Sequence, residues 1–188
     1  MPQHTVVATL DMSQPLNPAL VAGVDGLPTL VAAHPGAALS VRLTGGSGPV
    51  PDWPGPVSVH VVSKWENALR RLAGVDAPTA ARIEGRCTTA ALELLLTVDW
   101  RTAAPGAVIG WGAPPGGGWP GMLLHRLVRQ AGLARARRLT LLPGELSADA
   151  LLAAGILDVV GADDPAVRPA QHASRRALPA TGPFTGAA

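Results

Sequence analysis

A single cysteine, Cys87, in a chain of 188 residues excludes an intrachain disulfide framework and every zinc pattern built on several thiolates. Such usage suits a reducing compartment. Histidines are too scattered for a metal centre: His4, His34, His60, His125 and His172 show no ligand spacing, so no metal is expected. Tyrosine is missing and phenylalanine occurs once, leaving 3% aromatics, so the core must be mostly Leu, Val and Ala. Charge is thin as well. A formal net charge of +2 is no surface for tracking a phosphate backbone, and nucleic acid is not an expected partner. The N-terminus lacks a basic segment leading into an apolar one, and no run reaches the roughly 18 apolar residues needed to span a bilayer. We therefore expect a cytoplasmic protein that does not enter membranes. Gly110-Trp111-Gly112 and Gly116-Gly117-Gly118 lack the spacing of a dinucleotide fingerprint.

What is present is enough apolar material, 47% of residues, for one ordinary core, and the length argues against two full domains. Thr5 to Leu10 reads as a strand. Pro18 to His34 reads as a helix interrupted near Gly26-Leu27-Pro28, and Ala38 to Leu43 as a second strand, an order that suggests parallel pairing. Gly and Pro dominate Thr44 to Pro56, so the chain leaves the sheet there. Val59 to Leu72 is amphipathic, with Val62, Trp65, Leu69 and Leu72 on one face. Beyond it we expect a strand at Thr79–Ile83 and a buried helix at Leu92–Leu96. A loop follows from Trp111 to Gly121, then helices at Met122–Gln130, Leu133–Leu142 and Ala148–Ala154, and a last strand at Ile156–Val160. After Gly161 periodicity stops and Ala, Pro, Gly, Ser and Arg take over, as in a mobile tail.

The segment from Pro78 to Val160 carries the chemistry. Strand, small-residue turn and helix succeed one another through Glu84-Gly85-Arg86-Cys87-Thr88-Thr89-Ala90-Ala91, and small side chains let a substrate approach the backbone. The free N–H groups of a helix start, at Ala90 or Ala91, hold a developing oxyanion, and Glu93 follows in or near the first turn. The same pattern also describes an ordinary βαβ unit in which Glu93 complements the helix dipole.

The order of motifs resembles the crotonase superfamily, the enoyl-CoA hydratase and isomerase fold. The matching pieces are Ile83-Glu84-Gly85, Glu93-Leu94 with Asp99, Trp119-Pro120-Gly121 and Arg126-Leu127. The closing stretch adds Ala131-Gly132, Leu142-Pro143-Gly144 with Leu146-Ser147-Ala148, Ala154-Gly155-Ile156 and Val159-Val160, and the opening strands fit at Leu16-Asn17 and Leu43-Thr44-Gly45. A narrower likeness, in Val62 to Leu72, Val98-Asp99-Trp100-Arg101 and Trp119-Pro120-Gly121-Met122, is to DpgB-type proteins of 3,5-dihydroxyphenylglycine biosynthesis.

The resemblance implies an α/β, crotonase-like fold (the ββα superhelix of the ClpP/crotonase group) over residues 1–160, truncated at the C-terminal helical region, with 161–188 as a flexible tail. It implies a lyase or isomerase acting on an acyl-CoA thioester, with Glu93 as catalytic acid or base, the Ala90 N–H as oxyanion donor and no further cofactor. The narrower likeness implies assistance to a type III polyketide synthase by dehydration or isomerisation of a CoA-bound intermediate on a route to an antibiotic building block. It also implies an oligomer, with the synthase or with other crotonase subunits. The alternative is a non-catalytic partner that stabilises a synthase.

Departures from the family pattern are specific. Nothing between Gly45 and His60 reproduces the loop that carries the second oxyanion donor. The Gly-rich turn is replaced by Thr88-Thr89-Ala90-Ala91, and the second carboxylate of hydratases falls near Ala113, where there is none. Weaker candidates are His125 beside Arg126 and Arg129, and Cys87, better read as a small buried residue. Arg126, Arg129, Arg135, Arg137 and Arg138 either meet CoA phosphates or form a solvated helix face.

Overall fold

The computed structural model describes residues 4–111, 121–141 and 144–161. In chain order the elements are β1 (Thr5–Asp11), α1 (Pro18–Ala32), β2 (Ala38–Thr44), α2 (Val59–Ala73), β3 (Thr79–Glu84), β4 (Arg86–Cys87) and α3 (Thr89–Leu95). They continue with β5 (Trp100–Ala103), β6 (Val108–Trp111), α4 (Leu123–Ala131), α5 (Leu133–Leu141), β7 (Gly144–Ser147), α6 (Ala148–Ala153) and β8 (Val159–Val160).

A five-stranded sheet runs in the order β1-β2-β3-β5-β8, with every pair parallel. Its register sets Val41 opposite Ala81 and Arg82 opposite Thr102. Central strands of a parallel sheet are covered on both faces, and β2 and β3 are buried at nearly every position accordingly. A second sheet, β4-β6-β7, is smaller: β4 pairs parallel with β6, and β6 antiparallel with β7. Helix α3 lies against β3 of the first sheet and β6 of the second, so it bridges the two. Leu92, Leu94 and Leu95 of α3 are wholly buried there.

The amphipathic reading of α2 holds, with Val62, Trp65, Leu69 and Leu72 buried. Helix α1 starts where Asn17 accepts from the Leu20 N–H at 2.9 Å and Pro18 occupies the first turn. It does not break at Gly26-Leu27-Pro28. Proline removes one N–H from the ladder, and the burial of Leu20, Val24 and Leu27 along one face carries the helix through it. Gly23 allows a close approach of another kind. A Cβ there would come within 2.8 Å of the Leu10 side chain, so the bare backbone lets α1 settle onto β1.

Three further expectations are corrected. Helix α3 begins at Thr89, three residues before Leu92, because small Thr and Ala side chains pack against β6 as well as in a turn; Glu93 is thus its fifth residue, near the first turn as expected but just past it. The final strand is only Val159–Val160, because the N–H groups of Ile156 and Leu157 both turn back to Leu151 O to close α6. Trp111 ends β6 instead of opening a loop, since β6 finds a partner in β7, whose pairing across about 35 residues leaves no local sequence signal. Residues 112–120, where the rest of that loop and Ala113 fall, lie outside the described residues, as do Leu142 and the tail from 162. The break between α4 and α5 at Gly132 is as expected; its φ of 80° ends the helix. Among the described residues no helix is long and apolar enough to cross a membrane, and no three His, Cys, Asp or Glu side chains gather as a metal site.

Candidate active site

Glu93 is a carboxylate that the fold takes completely out of water, at 0% exposure. Two indoles meet it. Trp65 Nε1 donates to Glu93 Oε2 at 2.7 Å, and Trp53 Nε1 donates to Oε1 at 3.1 Å. Trp65 is delivered by the apolar face of α2, while Trp53 comes from the Gly- and Pro-rich stretch after β2, where Trp53–Pro54 is cis and Pro54 O accepts from the Leu16 N–H at 3.0 Å. The rings meet edge to face, 5.9 Å between centroids and 67° between planes.

Burial is the main influence on the Glu93 proton, and it pushes the carboxyl up to about 8. The Trp65 bond opposes that shift, the nearby Glu66 carboxylate adds to it, and the Trp53 bond and the Arg126 charge oppose it. The result is a carboxyl that exchanges a proton near neutral pH, which an ordinary glutamate does not do. Position in the helix contributes little, since Glu93 stands beyond the first turn.

Glu66 adjoins Trp65 in sequence and anchors α4. It accepts from the Met122 N–H at 2.8 Å and pairs with the Arg126 guanidinium. Thus Arg126, expected on a CoA-facing or solvated surface, is committed to an internal ion pair.

Ala90 is the second residue of α3 and fully buried. An N–H at that position has no partner within the helix. The start of α3 is fixed by Thr88, whose N–H donates to Met12 O at 2.7 Å and whose own Oγ1 is buried without a partner. Thr89 Oγ1 donates to Gly110 O at 2.9 Å. Thr89 also lines a cleft of about 290 Å³ together with Pro49, Val50, Pro51, Asp52, Trp53, Arg86, Gly110, Gly144 and Glu145. Glu93 is not among its lining residues, whereas Trp53 both lines it and bonds Glu93 Oε1.

The structure therefore brings Glu93 and the start of α3 into one neighbourhood with the loop after β2, and leaves the other candidates elsewhere. Cys87 is buried, its Sγ 3.5 Å from Glu84 O, and burial pushes the thiol up to about 12, so it is no nucleophile. His4, His34, His60 and His125 are exposed and apart; His172 lies outside the described residues. Arg129, Arg135, Arg137 and Arg138 are exposed on α4 and α5. Sequence reasoning missed Trp53, Trp65 and Glu66 as site residues. The available signal was a tryptophan inside a Pro-Gly loop, an expensive place for a large ring unless it packs inward.

The description "Enoyl-CoA hydratase/isomerase" belongs to the family model that matches residues 59–180. An "Enoyl-CoA-hydratase" of Amycolatopsis orientalis is 37% identical over 162 residues, covering 86% of this chain and 73% of that protein. Among solved structures, an enoyl-CoA hydratase/isomerase from Marinobacter aquaeolei superposes with a TM-score of 0.68 at 18% identity, covering 93% of this chain and 72% of the other. The enoyl-CoA hydratase of Bacillus anthracis gives 0.64 at 22% identity, covering 92% and 70%. At those identities the structural likeness speaks for the fold, which is the α/β, crotonase-like one expected.

Proposed function

The chain belongs to the enoyl-CoA hydratase/isomerase family, a family of lyases and isomerases, and from that membership we propose that it acts on an acyl-CoA thioester with Glu93 moving the proton. The observation that carries the reading is the Glu93 carboxyl: buried, held by one indole N–H on each oxygen and pushed up to about 8. At pH 7 roughly a tenth of such a group is ionised, so base and acid forms are both within reach.

One carboxyl suffices for two reactions. In isomerisation the ionised form takes a proton from C2 of a 3-enoyl thioester, the electron pair moves into the carbonyl as a dienolate, and the carboxyl returns a proton at C4. In dehydration of a 3-hydroxyacyl thioester the proton taken from C2 is given to the departing C3 hydroxyl, which leaves as water. Neither needs the second carboxylate that hydratases place near position 113. Both need stabilisation of the thioester oxygen, and the Ala90 N–H at the start of α3 is the group that supplies it.

The substrate in this reading is a CoA-bound intermediate of a type III polyketide synthase, on a route of the 3,5-dihydroxyphenylacetyl-CoA kind. Support comes from the segment Val62 to Leu72, which carries the narrower family likeness and also supplies Trp65 to Glu93. The cleft beside Trp53 supports it too: a cavity of about 150 Å³ accepts benzene, and about 290 Å³ has room for a substituted ring.

A second reading, a crotonase-fold partner without chemistry, is favoured by the exposed Leu124, Val128, Leu133 and Leu141 on α4 and α5, an apolar surface suited to a synthase or to other subunits.

The deciding experiment is product analysis by mass spectrometry of a type III synthase supplied with malonyl-CoA, with and without this protein and its Glu93→Gln variant. A product change with wild type alone supports proton transfer by Glu93. Equal action of both proteins supports the partner reading, and light scattering of the mixture then shows the complex.

A further inference from the structure

Trp53 and Trp65 serve the same carboxyl from different sides. Trp65 is 0% exposed, rooted in α2, and makes the shorter bond. Trp53 sits in the loop after β2 and lines the 290 Å³ cleft with Pro49, Val50 and Pro51. The same residue thus borders the cleft and bonds Glu93 Oε1.

Building on the reading of Glu93 as the proton-transfer group, we propose that the two indoles have separate functions. Trp65 is the fixed positioning residue that aims the carboxyl. Trp53 is the cleft-side donor that yields Oε1 to a bound acyl group, so its ring decides which acyl groups reach Glu93. A carboxyl enclosed at 0% exposure meets a substrate only when one side opens, and the loop side borders a cleft of ligand size.

The division has a signature that a shared packing role lacks. Removing the Trp65 donor leaves Oε2 bare in a dry core, which disfavours the ionised form and moves the titration midpoint up. Removing the Trp53 ring takes away one N–H donor but admits water from the cleft, which replaces that donor and relieves the burial that is the largest influence on this carboxyl, so the midpoint moves down. The other charges facing Glu93 are Glu66 of α2 and Arg126 of α4. Of the strands against α3, β6 carries no titratable side chain, and Arg82 and Glu84 of β3 bond to each other.

The chain has four glutamates, Glu66, Glu84, Glu93 and Glu145, so glutamate labelled with 13C at its side-chain carboxyl gives four signals, and loss of one in Glu93→Gln assigns it. The expected result is opposite movement: up by about one pH unit in Trp65→Phe and down by about one unit in Trp53→Ala. In turnover of an enoyl-CoA thioester, Trp65→Phe lowers kcat roughly 10- to 100-fold with KM little changed, and Trp53→Ala widens the range of acyl groups accepted. Movement in the same direction, or none, overturns the division. Should Trp65→Phe fail to fold, the Trp53→Ala arm decides alone: a midpoint at or above the wild-type value overturns the proposal. If instead Glu93→Gln turns over normally, the proton-transfer reading falls, and the titrations still report separately on the indoles.

Discussion

Gly110 and Val50 approach so closely that a Cβ on Gly110 would lie 2.4 Å from Val50 Cγ1 and 2.7 Å from Val50 Cβ. The missing side chain on β6 is what allows the loop before Trp53 to lie against the strand and form the cleft. Gly110→Ala therefore forces the loop outward. We expect a loss of about 1–3 kcal/mol in denaturant unfolding, with part of it recovered by adding Val50→Gly, the coupling being read from a double-mutant cycle.

Glu66 ties α2 to the start of α4 through Met122 and Arg126. Glu66→Gln leaves the guanidinium without its charge partner and is expected to cost about 2 kcal/mol in unfolding. It also removes a negative charge facing Glu93, so the Glu93 midpoint falls, whereas Arg126→Gln raises it. Thermal melts and carboxyl titration of the two variants check both signs.

Stability should fall as pH rises. Glu93 titrates near 4.5 in the unfolded chain and near 8 in the folded one, so between those values the native protein holds a proton that the unfolded chain has released. The slope from this group is about 1.4 kcal/mol lost per pH unit across that window, ending above pH 8. In Glu93→Gln the slope from this group disappears, which urea titrations at pH 5.5, 7 and 8.5 (roughly spanning the window) measure directly.

Turnover should move the other way. If the ionised carboxylate starts the reaction, log(kcat/KM) climbs with unit slope below about pH 8 and levels above it. A rate that falls through the same range would mean that the protonated form starts the chemistry.

Much of this fold is legible in the sequence, for physical reasons that also explain what is not. The strands at Thr5, Ala38 and Thr79 and the apolar face of α2 announce themselves because their patterning is local. Glu93 stands out because it follows a turn of small residues. Its partners do not, since Trp53 and Trp65 lie 40 and 28 residues away and no periodicity links them to it. The pairing of β6 with β7 is silent in the sequence for the same reason. The sequence suggests the helix dipole as the influence on Glu93, and burial overrides it because α3 begins at Thr89 and carries Glu93 into the core.

With five tryptophans, no tyrosine and one phenylalanine, near-ultraviolet absorption and emission of this protein are tryptophan signals. Two of those chromophores cross edge to face at 5.9 Å, with both ring N–H groups bonded to one ionisable carboxyl. Gain or loss of that proton alters the electric field along both transition dipoles, so circular dichroism and fluorescence follow the charge of Glu93 without any attached label. The molecule is its own spectroscopic indicator.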